Sequence, residues 1–150
     1  MGKCRWPATV AGLLTVFWMS FAAAAPPFAG HIRTVRGTVA VYHPSGAMEV
    51  GAVGTSLQAS DLIRTGIGAG LSFVLRDGTT IVIGPSSELD LKAYSYDLQS
   101  SAGALAVRLL KGSMRMITGA IGKSTPEAIR VETQTAVIGI RGTDFIVEVD

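Results

Sequence analysis

Cysteine is nearly absent: the chain of 150 residues holds one, Cys4. A single thiol cannot close an intrachain disulfide, so a disulfide-stapled scaffold is excluded. Histidine is almost as scarce, with only His31 and His43, and no Gly-x-Ser-x-Gly elbow occurs. That leaves little from which to build a nucleophilic triad, and both histidines are read as solvated: His31 near the start of the folded part, His43 in a turn before Pro44. Charged residues make up only 16% against 48% hydrophobic, which excludes intrinsic disorder. Aromatics are few, at 7%.

What is abundant is glycine, with 18 residues, and an apolar run near the start. Lys3 and Arg5 precede Ala8–Phe21, which contains Leu13, Leu14, Val16, Phe17, Trp18 and Met19, and Ala22-Ala23-Ala24-Ala25-Pro26-Pro27 follows. A basic start, a short apolar middle and small residues before a cut form a secretory signal peptide. Ala22 and Ala24 suit the third and first positions before cleavage, so residues 1–24 are expected to be removed and the mature chain to begin at Ala25. Cleavage removes Lys3 and Arg5 and lowers the basic residues from 13 to 11, equal to the 11 acids. The mature chain is then neutral and free of cysteine. It lacks the basic field that nucleic-acid binding exploits, and it suits an oxidising compartment. The expected location is periplasmic or secreted, with no stable membrane span after cleavage.

Residues 25–150 read as one all-β domain of many short strands, a twisted sandwich or a solenoid-like stack. Thr38–Tyr42, Leu71–Leu75, Thr79–Ile83, Leu89–Leu91, Leu105–Leu109, Met114–Ile117, Ile129–Thr133, Ala136–Ile138 and Phe145–Val149 are rich in β-formers, and several alternate with period 2. Asp77-Gly78 between two such runs predicts a two-residue hairpin with positive φ at both positions. Ala102–Leu110 fits a strand better than a helix, and Tyr94–Ser101 reads as a polar loop. Gly66-Ile67-Gly68-Ala69-Gly70 leads into a strand rather than a helix, so it predicts a turn and not a phosphate cradle. Gly112 and Gly119–Gly122 are read as further corners.

The acids are scattered. Glu88 and Asp90 share a strand face without a third ligand, so no metal site and no cofactor is expected. The most distinctive run is Gly139-Ile140-Arg141-Gly142-Thr143-Asp144-Phe145. Two glycines bracket Ile140-Arg141 and predict a sharp corner. Arg141 is expected to turn inward, bonded by carbonyls or by an acid such as Asp144, because a buried guanidinium needs several acceptors. The alternative is a ligand-facing Arg141 that meets a carboxylate or phosphate.

These residues, in order, resemble the FecR domain family. The likeness starts at Val35-Arg36-Gly37-Thr38-Val39 and passes through Asp61-Leu62-Ile63-Arg64-Thr65-Gly66, Arg76–Ser87 and Leu110–Arg115. It ends on Ala136–Phe145, with Gln134 where many relatives have proline. The resemblance implies an extracytoplasmic, all-β, non-enzymatic module. In the family's iron-transport regulators this domain passes a signal from an outer-membrane receptor to a cytoplasmic sigma factor. Only seven residues precede the apolar run here, so the anti-sigma activity is not carried over. The expected partner is an envelope or outer-membrane protein, such as a receptor, met through a strand edge or a solenoid face. The second expectation is a cell-envelope carbohydrate stacked on Tyr94 and Tyr96 in their loop. An enzyme ranks last, for want of converging titratable groups.

Overall fold

The computed structural model describes residues 28–150 and, ahead of them, Gly2; the signal-peptide pattern otherwise lies outside the described residues. Among the described residues no helix is long and apolar enough to cross a membrane.

Alternation in the sequence becomes alternation in burial. The strands are β1 Phe28–Arg36, β2 Val39–Tyr42, β3 Met48–Val50, β4 Ser56–Gln58, β5 Leu62–Thr65, β6 Gly70–Leu75 and β7 Thr80–Ile83. They continue as β8 Glu88–Tyr96, β9 Gly103–Ile117, β10 Ile129–Glu132, β11 Val137–Gly139 and β12 Asp144–Val149, with a short helix α1 Ala120–Ser124 and a 3-10 turn Pro126–Ala128. β6 buries Leu71, Phe73 and Leu75 while the residues between them stay half-exposed, and β7 buries Ile81 and Ile83. Such side chains each contribute roughly 1.5–3 kcal/mol on burial, and they join one core with Val41, Ile63, Leu89, Leu105, Val107 and Val131.

β9, at 15 residues, organises the sheet. Its first half pairs antiparallel with β8 and parallel with β10, while its second half pairs antiparallel with β7 and β12. One arm therefore runs β3-β2-β5-β8-β9-β10-β11, and the other runs β4-β1-β6-β7-β9-β12. The result is a single curled, almost wholly antiparallel half-barrel wrapped around its core.

Gly112 is a bend inside β9, not a corner between two strands. Glu88 faces Lys111 while Leu89 faces Leu109, so Leu110 is an extra residue, a bulge that turns the strand. Gly112 sits at φ 84°, and a Cβ there would lie 2.1 Å from Ser87 Oγ. Three other expectations are corrected. Gly119–Gly122 does not form a loop: Gly122 lies inside α1. The loop expected from Tyr94 is shorter, because β8 runs on to Tyr96. The hairpin at Asp77-Gly78 forms, with Leu71 facing Ile83, but only Gly78 has positive φ. Gly78 N–H donates to Leu75 O at 3.0 Å, and Leu75 N–H to Thr79 O at 2.9 Å. That is the three-residue form, a turn closed by one left-handed glycine.

Candidate functional site

The C-terminal third crosses from one arm of the sheet to the other. β10 and β11 form a hairpin, Arg130 facing Gly139 and Glu132 facing Val137. Thr133 closes it: its N–H donates to Ala136 O at 2.8 Å, and its Oγ1 accepts from Ala136 N–H at 3.0 Å. Gln134, where many relatives have proline, donates from Nε2 to Leu110 O at 3.0 Å and so satisfies the carbonyl at the bulge. Among the described residues β11 pairs with β10 only, and β12 with β9 only. Both are therefore terminal strands, and residues 140–143 carry the chain between them.

Ile140 anchors this crossing, at 7% exposure and packed in the core. Thr118 N–H donates to Thr143 O at 2.9 Å. Arg141 is exposed, and Asp144 is occupied elsewhere: Arg115 grips it through two bonds, Nε to Oδ1 at 2.9 Å and Nη2 to Oδ2 at 2.5 Å. This pairing holds the Asp144 carboxyl below its usual range. The inward Arg141 bonded to Asp144 is thus corrected. Asp144 begins β12 directly opposite Ile117, beside Arg115, and the residue that turns inward at the corner is Ile140. Arg141 keeps its charge in solvent, the geometry of the ligand-facing alternative.

Two hollows share this crossing as part of their lining. One, of about 870 Å³, is floored by Ile129 and Ile140, rimmed by Val137, Gly139 and Gly142, and flanked by Arg130 and Arg141. The other, of about 240 Å³, lies against Ile138, Phe145 and Ile146. Val137 is 70% and Ile146 71% exposed, so the two strands that flank the crossing, like β3 with Val50 at 73%, each carry an uncovered β-branched side chain. The glycines here differ from those elsewhere. A Cβ added at Gly139 or Gly142 would meet nothing within 4 Å, and neither has positive φ.

Tyr94 and Tyr96 do not form an exposed stacking pair. Tyr94 is 6% exposed, accepts from Asp77 N–H at 2.9 Å and donates to Asp77 Oδ1 at 3.2 Å. Burial, then the neighbouring Asp77, raises its pKa. Tyr96 is half-buried against the core. Asp77 itself is a buried junction, which also accepts from Thr79 Oγ1 at 2.6 Å, from Thr79 N–H at 3.2 Å and from Ile121 N–H at 3.4 Å.

The expectation for His43 is also corrected. Its ring is not simply solvated: Nδ1 lies 2.8 Å from Oδ1 of the fully buried Asp61, and Nε2 lies 3.4 Å from Glu49. Asp61 Oδ2 accepts from Gln58 N–H at 2.7 Å. Bonding to Asp61 raises the His43 pKa, with Glu49 adding to it. The group ties the β2–β3 hairpin to the start of β5. His31 is exposed, as expected. Glu88 bonds Arg64 at 3.0 Å, while Glu132 is held by Lys92 at 2.8 Å and Arg108 at 2.7 Å. Among the described residues no group of three or more His, Cys, Asp or Glu is placed to hold a metal ion.

Sequence reasoning passed over Arg130 and Val137, which flank the larger hollow. The signal was present in the strand period: Ile129 and Val131 turn inward, so Arg130 between them turns outward.

These features define a class: an all-β module built on one bent strand, whose two arms end in unpaired strands joined by a glycine-flanked crossing. Residues 61–150, more than half of the chain, match the family model for FecR protein. The chain belongs to the FecR family, whose proteins are associated with signalling. No curated protein and no solved structure matches it. The match begins at Asp61, later than the likeness drawn from Val35. β1 to β4 precede it, yet β1 pairs with β6 and β2 with β5 inside it.

Proposed function

We propose that this chain is an exported, non-enzymatic interaction module of the cell envelope, periplasmic or secreted, which binds an envelope protein through the open end of its curled sheet. The observation that carries the reading is the pair of edge strands that flank the crossing. Among the described residues β11 and β12 lack an outer neighbour, and they present Val137 and Ile146 to solvent. An unpaired strand offers a row of backbone donors and acceptors, and adding a partner strand satisfies them. The family's link to signalling and the signal-peptide pattern agree with an exported sensor or relay. The titratable clusters fit structural work: Asp77 knots a hairpin to α1, and His43 ties a hairpin to β5. The carbohydrate reading loses its stacking pair, since Tyr94 is buried.

Capture from envelope extracts with the purified protein, with and without polysaccharide digestion, tests this. A protein partner retained after digestion and lost with Ile146→Asp or Val137→Asp is the expected result. Retention that vanishes on digestion and ignores both variants supports the glycan reading instead.

A further inference from the structure

Resting on that interaction reading, we propose that the larger hollow beside β11 is a docking groove for an extended acidic peptide segment. The segment lies along the free edge of β11 and sets its carboxylates against Arg130 and Arg141.

Three independent features converge on this groove. The first is charge. Arg64, Arg108 and Arg115 each hold a carboxylate, whereas Arg130 and Arg141 hold none among the described residues. Both are exposed, and both flank the same hollow. Glu127, on the 3-10 turn, is the single acid in its lining. Two arginines against one acid favour an anionic visitor, and the guanidinium fork suits a carboxylate.

The second feature is the backbone. Within residues 28–150 every glycine but Gly139 and Gly142 either takes positive φ or would set a Cβ within 4 Å of a neighbour: one at Gly119 would lie 2.3 Å from Asp77 O, and one at Gly30 would lie 2.1 Å from Val74 O. Gly139 and Gly142 face open space, so neither packing nor conformation within the chain requires them. A glycine that the fold does not need, on the rim of a hollow, leaves the main chain bare to close approach from outside. The third feature is the edge itself. Among the described residues β11 lacks an outer neighbour, and the groove's floor of Ile129 and Ile140 is apolar. An extended peptide with alternating residues meets all three at once: main chain to the edge, apolar side chains to the floor, acidic ones to the arginines.

The test is panning of a random-peptide display library on the purified protein, followed by binding of the selected peptides to variants. Sequences that interleave Asp or Glu with β-branched or aromatic residues are expected to be enriched, and their binding to weaken as salt rises. Arg130→Glu with Arg141→Glu should weaken them by roughly tenfold or more while the melting temperature stays put, since both residues are exposed. Gly139→Val should block them sterically and leave charge untouched. Enriched peptides without acidic residues, or equal binding to the arginine variant, would overturn the groove. If such peptides are lost with Ile146→Asp instead, the groove fails while the interaction reading stands. A library that enriches nothing also overturns the groove, and the envelope capture then decides the broader reading alone.

Discussion

The hairpin corner around Asp77 and the crossing around Gly139–Asp144 are built from similar letters and behave oppositely. Both combine glycines, an aspartate and threonines. At the first corner every polar group is spoken for: the Asp77 carboxylate accepts four bonds, Tyr94 bridges to it, and Gly119 packs against its backbone. At the crossing, Asp144 bonds an exposed Arg115, Arg141 is in solvent, and a Cβ on either glycine would meet nothing within 4 Å. The first corner is a device for holding the chain together. The second is a surface the fold tolerates but does not require, which is how a site for another molecule differs from a structural joint.

The largest break in this comparison should come from Asp77→Ala. It strands the Tyr94 hydroxyl, the Thr79 hydroxyl and the Ile121 N–H in a buried place, and should cost about 3 kcal/mol or more. Thermal unfolding should show a drop on the order of 10 °C. Gly119→Ala comes next. Its Cβ would lie 2.3 Å from Asp77 O and 2.4 Å from Thr79 N, both backbone atoms that cannot step aside. Overpacking of this kind costs about 1–3 kcal/mol, readable by urea titration as a lower midpoint at unchanged slope.

The smallest effect should come from His43. Its pKa is raised in the folded chain by Asp61, with Glu49 adding to it. The stabilisation is therefore complete below its ordinary value of 6.5 and is lost as pH rises through the raised value. Melting curves of the protein and His43→Gln should differ most in mild acid and converge as pH rises past neutrality. A gap that widens with pH would contradict the Asp61 contact.

Much of the fold was legible because burial follows period 2. The alternation in Leu71–Leu75, Leu105–Leu109 and Phe145–Val149 depends only on strand geometry, so it survives folding unchanged. The corners were harder. Gly112 reads like a turn, since sequence records the glycine but not that Ser87, the residue before β8, is packed against it. Gly122 sits in a helix because Ile121 supplies an anchor to the core, a tertiary effect that local propensity does not register. The distinctive run at Gly139–Phe145 was recognisable as the place of interest, but its inner logic was not. Asp144 lies three residues from Arg141 in the chain, and only strand pairing shows that Arg115 reaches it first. The histidine near Pro44 looked solvated because its partner, Asp61, lies 18 residues away.

Neither packing nor conformation among the described residues requires glycine at 139 or 142; on the proposed reading a visiting segment does. Thermal unfolding of Gly142→Ala beside Gly119→Ala tests it most directly. Gly142→Ala should melt at or slightly above the parent, because alanine restricts the unfolded chain by about 0.4–1 kcal/mol where the native backbone accepts it, while Gly119→Ala falls well below. A Gly142→Ala protein that loses as much stability as Gly119→Ala would contradict it, and would return the crossing to the structural joints.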